Sequence, residues 1–413
     1  PAAAVPVVSG TAVAYTITSS GGVNVRYQWS WGDGTAPSTS SSAAAASHSF
    51  ANPGRYEVAV TATDDTGRVV TQTLHQLVYA TLTARAPVAS SPIVYEDRVS
   101  GNDRLWSINH DNDSVSVFDA VTRARLAEIP VGKAPRGVAV APDGRAWVTN
   151  VESATISIIS GTSLAVVQTV TLPRGSRPYA VVFDPDGSDA WVTCEATGKL
   201  LRFAPATAVQ TASLDVGLDA RHLSVSGDGA RVLVSRFITP RLPGEETGTI
   251  TTSATAGAEV LSVLTASLST EKKVILQHSE RPDTQSTGRG IPNYLGPAII
   301  SPDGRTAWVP SKQDNIKRGT LRDGQQLTHD QTIRSITSRI VLTSGVPAAT
   351  DAVADRVDFD NAGIASNGVF DRTGGYLFVA LEGSREVAVI DAWNKKEIRR
   401  FSAGRAPQGI AIS

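Results

Sequence analysis

Gly137-Val138-Ala139-Val140-Ala141-Pro142-Asp143-Gly144-Arg145-Ala146-Trp147-Val148-Thr149-Asn150 reads as an apolar run, a Pro-Asp-Gly turn and a second apolar run ending in Trp-Val-Thr. The phrase returns as Ala180-Val181-Val182-Phe183-Asp184-Pro185-Asp186-Gly187-Ser188-Asp189-Ala190-Trp191-Val192-Thr193-Cys194. Working outward, the two copies extend over residues 134–173 and 177–217, each adding an alternating third strand and a fourth that closes near a glycine. Four short strands recurring about every 40 residues are the pattern of a β-propeller blade, because one four-stranded sheet cannot cover both of its faces and must stack on copies of itself. Six such stretches are readable in the chain.

Blade one covers residues 91–132, with strands at 104–109 and 114–119, and blade two carries 137–160. Blades three to six turn at Pro185-Asp186-Gly187, Gly227-Asp228-Gly229, Pro302-Asp303-Gly304 and Arg372-Thr373-Gly374. Gly404-Arg405-Ala406-Pro407-Gln408-Gly409-Ile410-Ala411-Ile412-Ser413 then repeats the opening of blade two. The expectation is a propeller of the seven-bladed type with its last blade incomplete. The alternative is a six-bladed ring closed by pairing residues 409–413 with the strands around Trp106. The Trp-Val-Thr-Asn, Thr-Ile-Ser-Ile and Ala-Pro-x-Gly-Val-Ala-Val strings are similar to those of the YVTN family of β-propellers, over residues 91–413. That resemblance implies a surface-layer or cytochrome-associated propeller.

Residues 5–83 differ in kind. Tyr27-Gln28-Trp29-Ser30-Trp31-Gly32-Asp33-Gly34 is followed by His48-Ser49-Phe50-Ala51-Asn52-Pro53-Gly54-Arg55-Tyr56-Glu57-Val58-Ala59-Val60-Thr61-Ala62-Thr63-Asp64. Gly-Asp-Gly and Pro-Gly make tight turns, and Tyr56, Val58, Val60 and Ala62 alternate as in a half-buried strand. The expected product is a small β-sandwich. These residues resemble the PKD domain, which implies an extracellular spacer or binding module. Asp33, His48 and Asp64 are read as turn formers rather than ligands. Residues 84–90, small and proline-bearing, read as a semi-rigid linker.

A formal net charge of −1 gives no field to gather nucleic acid or an anionic membrane. The single Cys194 excludes an internal disulfide, a thiolate cluster and covalent haem attachment, so any haem is supplied by another segment or chain. With no apolar run near 18 residues and no leader before Pro1, the expectation is a soluble chain, not inserted in a membrane, that is secreted, periplasmic or on the cell surface.

Extra residues in blades four and five suggest where function lies. In each blade the turn between strands one and two lies on one face, and the turn between strands two and three lies on the other with the link to the next blade. Insertions at 239–257 and 313–335, and links at 277–292 and 343–363, are therefore expected over a single face. Long loops on one end of a rigid scaffold carry recognition. The candidates for this binding face are Arg136, Tyr179, Arg221, His222, Arg236, His278, Arg281, Asp283, Arg289, Asn293, Tyr294, Lys312, Asp314, Asn315, Lys317, Arg318, Asn361, Asn367 and Gln408. Arg322, Asp323, His329 and Asp330 lie in the same insertions.

No Gly-x-Ser-x-Gly elbow, HExxH helix or phosphate-cradling loop is present, and no catalytic residue is assigned. His110, His222, His278 and His329 lack metal-site spacing. Asp351, Asp355, Asp358 and Asp360 form an oxygen-rich patch, read as solvated, with calcium as the alternative. Cys194, beside Glu195, reads as a packed thiol. Both signs of charge on the loop face suit a protein-docking surface. The expected function is therefore an extracytoplasmic, non-catalytic binding or scaffold module whose partner is a protein, for example a c-type haem peroxidase-like segment. The alternatives are an enzyme with a polar site in the funnel, or a structural surface-layer protein.

Overall fold

The computed structural model describes residues 5–247, 250–317 and 332–413. The chain divides after Leu82 into two compact units. In the first, Arg26–Ser30, Gly54–Thr63 and Val69–Tyr79 form an antiparallel sheet that Val7–Val8 joins in parallel. Ala12–Thr16 and Ala45–Ser49 form a second sheet. Tyr27 and Trp29 are buried while Arg26, Gln28 and Ser30 are exposed, and Tyr15, Trp31, Phe50, Val58 and Val60 complete the core between the sheets. Gly32 has φ 75°, and a Cβ there would stand 2.4 Å from the Glu57 carbonyl oxygen, so only glycine fits. Asp33 accepts from the Thr35 amide and hydroxyl and pairs with His48 at 2.7 Å. Burial pushes its carboxyl up, but these bonds outweigh burial and hold it below the usual range. Asp64 likewise accepts from Thr66 and Arg68.

The second unit contains six sheets of the expected kind. Blades one to three are regular, each with four strands in sequence order. The second-strand tryptophans Trp106, Trp147, Trp191 and Trp308 are fully buried and pack into clusters joining successive blades. Trp147, for example, meets Phe183 and Phe203 of blade three edge-on at 5.4 and 5.8 Å. Blade-on-blade burial of this kind is why the repeat needs neighbours. The Pro-Asp-Gly turns share one mechanism: Asp143, Asp186, Asp228 and Asp303 each accept the amide hydrogen of the residue two places on. The following Gly144, Gly187, Gly229 and Gly304 all have positive φ.

Two expectations need correction, and the six-bladed closing alternative finds no support. Part of the linker is structural: Val88–Ala89 pairs antiparallel with Ala220–Val225, the inner strand of blade four. Ser90 donates its amide to Leu223 O, and its hydroxyl accepts from Leu223 N. Asn367 Nδ2 donates to Ser90 O, and Val138 N to Ser91 O. With Thr83 bonded to Pro302 at the blade-five turn, residues 83–92 climb the propeller axis from the Pro-Asp-Gly turns to the opposite mouth. Val88 and Ala89 are small and apolar enough to pack against the Trp191 and Trp308 clusters.

Residues 343–363 are not a raised link. Val346–Pro347 and Val357–Phe359 both pair with Ile333–Thr343, forming a broken outer edge for blade five. Pro347, lacking an amide hydrogen, and the turn Val353–Asp355 interrupt the ladder. Finally, blade one has its own four strands, Ile93–Glu96 to Arg125–Pro130, so residues 409–413 do not complete it. Gly409 lies against Pro92 and Ile93 instead.

Candidate funnel and loop face

The inner strands of four blades each carry a β-bulge near their start: at Pro135/Gly137, Pro178/Val181, Ala220/His222 and Ala365/Asn367. A bulge leaves one residue out of the ladder and re-aims its side chain. Arg136, Tyr179, Arg221 and Ser366 are the residues so displaced, and all four line a cavity of about 280 Å³ at the axial mouth. Ser90, Ser91 and Pro92 also line it, so the cavity is a cup with a floor rather than a pore.

Its wall alternates cations and aromatic rings. The Arg221 guanidinium lies 3.4 Å from the Phe237 ring centroid and 4.9 Å from that of Tyr179, which Arg136 approaches at 6.0 Å. Phe237 stacks on Tyr294 at 4.5 Å, and Lys312 Nζ stands 4.1 Å from the Tyr294 ring. His222 meets Tyr179 edge-on at 5.3 Å. Burial, reinforced by the Arg221 charge, pushes the His222 imidazole down to about 3, so it is neutral at physiological pH.

The 277–292 link is tied to the outer edge of blade five by buried ion pairs. Arg356 and Asp351 have fully buried side chains in contact at 2.7 Å. Arg356 also donates to Gln313 Oε1 and Gln277 O. Arg281 pairs with the buried Asp358 and donates to Arg356 O. Burial pushes the Asp358 carboxyl up to about 6 against the pull of Arg281 and Arg356. Gln313 donates to Gly288 O, Asp283 accepts from Arg289 N, and Asn315 reaches Asp283 at 3.4 Å. Glu280 gathers Lys317, Arg289 at 3.4 Å and His278 at 3.2 Å. The buried His278 ring is pushed down to about 4, burial outweighing Glu280.

The predicted residues thus divide. Arg136, Tyr179, Arg221, His222, Tyr294 and Gln408 line the cup. Asn293 instead holds Thr239 N and Asp314, Arg236 pairs with Glu259, and Lys312 pairs with Asp314 at 2.9 Å. Asn367 braces Ser90, Asn361 is an exposed residue with φ 50°, and Arg318, Arg322, Asp323, His329 and Asp330 lie outside the described residues. The acidic patch does not converge: Asp351 faces Arg356, Asp358 faces Arg281, and Asp355 faces Arg339 and Lys395. Among the described residues no group of three acidic, His or Cys side chains could hold a metal ion. Asp351 and Asp358 are buried and ion-paired rather than solvated. Cys194 is buried, its thiol pushed up to about 11 by desolvation.

Sequence reading missed Glu195, which holds Arg221 at 2.5 Å and Arg177 at 3.3 Å, and Phe237, which separates Arg221 from Tyr294. Both follow the end of a second strand on the loop side, and that position was the available signal.

Residues 1–77 match the PKD domain model. The fold is similar to a hydrazine synthase of Kuenenia stuttgartiensis (16% identity, TM-score 0.60, covering 81% of this chain and 91% of that one). It is also similar to a Bacteroides uniformis protein with a provisional 6-phosphogluconolactonase assignment (15%, TM-score 0.51, 94% and 98%). A Lactobacillus plantarum protein is similar as well (14%, TM-score 0.51, 86% and 94%). No curated protein matches the sequence. At these identities the likeness is one of fold.

Proposed function

We propose that the chain is an extracytoplasmic binding module of YVTN-like type that docks a protein partner on the loop-rich face of its propeller. The observation that carries this reading is the Arg356–Asp351 and Arg281–Asp358 network. Three of its four charged side chains are fully buried, and they hold the 277–292 link to the edge of blade five; a rigid loop surface lowers the ordering cost of association. Arg177 before blade three, Lys273 on the outer strand of blade four and Glu280 in the link after it remain about half exposed, charges of both signs suited to steering and register. A PKD domain beside a propeller is in keeping with work outside the cytoplasm.

Placing a photo-crosslinking side chain at Arg177 or Lys273, and in parallel at Asp186 on the opposite turns, tests the reading in the source cells. Discrete adducts are expected from the first two positions and none from Asp186. Equal adducts from both faces, or none from either, would overturn it. The enzymatic alternative rests on the cup, but a His222 pushed down to about 3 is a weak base at neutral pH, so the cup is better suited to binding than to proton transfer.

A further inference from the structure

The cup holds a cation that no carboxylate contacts among the described residues. Of the two guanidiniums lining it, Arg221 is held by Glu195. Arg136 has neither a carboxylate nor a hydrogen-bond acceptor among the described residues, and the aromatic ring it approaches is that of Tyr179, at 6.0 Å. A partly buried cation without an anion carries a desolvation cost that nothing in the protein offsets. The bulge at Pro135/Gly137 takes this residue out of the ladder and turns it toward the cavity.

The second, independent observation is a set of polar side chains without hydrogen-bond partners on the same wall. Tyr294 has φ 55°, a conformation that is unfavourable for a bulky side chain and that persists where the surroundings enforce it. Here Asn293 Oδ1 accepts the Tyr294 amide hydrogen, Phe237 stacks on one side and Lys312 approaches the ring. These contacts hold a tyrosine on the cup wall. Neither the Tyr294 nor the Tyr179 phenol, nor the His222 imidazole, makes a hydrogen bond among the described residues. The far wall supplies acceptor capacity through Glu382, which Gln408 contacts at 2.9 Å, while Ile108, Ile364 and Pro92 give apolar surface.

We infer that the cup binds a small hydroxylated carboxylate about the size of one sugar ring, its carboxylate on Arg136 and its hydroxyls on Tyr179, Tyr294, His222 and Glu382. A guanidinium is matched in geometry and charge by a carboxylate. Unpartnered phenols and an imidazole beside an acidic acceptor call for groups that both donate and accept, which hydroxyls do. A cavity of about 280 Å³ lies at the lower end of ligand sites and excludes larger molecules from full burial. The ligand differs in kind from the protein partner of the loop face, and either assignment stands without the other.

The test uses the full chain at neutral pH in calorimetric titrations with glucuronate against glucose and galacturonate against galactose. Each pair shares a skeleton and differs in the carboxylate. At least one acid is expected to bind tenfold or more tightly than its neutral partner. Arg136→Gln should remove that difference, and Arg136→Lys should restore part of it. Because Arg136 makes no hydrogen bond or ion pair among the described residues, neither variant should lower the melting temperature. Binding of neither acid, equal binding of acid and neutral sugar, or full retention of the preference in Arg136→Gln would overturn the assignment.

Discussion

Asp184 and Trp191 illustrate how one residue choice sets a pH response. The indole of Trp191 donates to Asp184 Oδ1 at 2.7 Å, Ser188 donates to the other oxygen, and desolvation pushes the carboxyl up to about 6. Because the folded-state value lies above the unfolded one, the contribution is stabilising below about pH 4 and is lost as pH rises through about 6. At neutral pH the buried charge costs up to about 3 kcal/mol. Asp184→Asn keeps an acceptor for the indole and discards the charge. Its stability advantage over wild type should be near zero at pH 4, grow between pH 4 and 6 and level off above, as read from urea unfolding of the two proteins across that range. The Trp191 position is legible in the repeat. Its partner is not, because blade two has Ala141 and blade five Ser301 at the corresponding position, and the Trp147 and Trp308 indoles have no hydrogen-bond partner among the described residues.

At the scale of elements, the strands follow from alternation and the turns from Pro-Asp-Gly, whereas the loops above them are organised by long-range charge pairing. Arg356 joins the outer edge of blade five to Gln277, at the end of blade four, and to Gln313 of its own second strand. Removing it leaves Asp351 buried and unpaired. Arg356→Ala should therefore cost about 3–5 kcal/mol and raise amide exchange over residues 277–292 before the propeller strands respond. The double variant with Asp351→Ala should recover part of that loss, the outcome expected when an uncompensated charge rather than a missing contact is the cause. The aspartates of residues 351–360 were visible as a cluster, but spacing alone does not distinguish a shared ligand set from aspartates that each face a different cation. The cations that claim them come from Arg281, Arg339, Arg356 and Lys395, up to about 80 residues away along the chain.

At the scale of the whole molecule, the axial segment decides what kind of cavity the propeller has. Residues 83–92 occupy the axis and give the cup its floor, with Ser90 bonded to blade four and blade six. Ser90→Ala removes the acceptor of a buried Leu223 amide and should cost about 1–3 kcal/mol, measurable as a lower melting temperature. A serine in a solvated spacer would give no change. By itself the sequence determined the all-β architecture, the repeat and the PKD-like sandwich. These depend on local alternation, turn chemistry and the need of each sheet for a neighbour, all of which recur within a single repeat. Only the tertiary structure decided that the linker threads the axis, that residues 343–363 edge blade five, that most loop charges neutralise one another and that Arg136 stands alone in the cup. Each of those outcomes depends on which distant residues meet across blades, and pairing over such separations leaves no periodic trace in one chain.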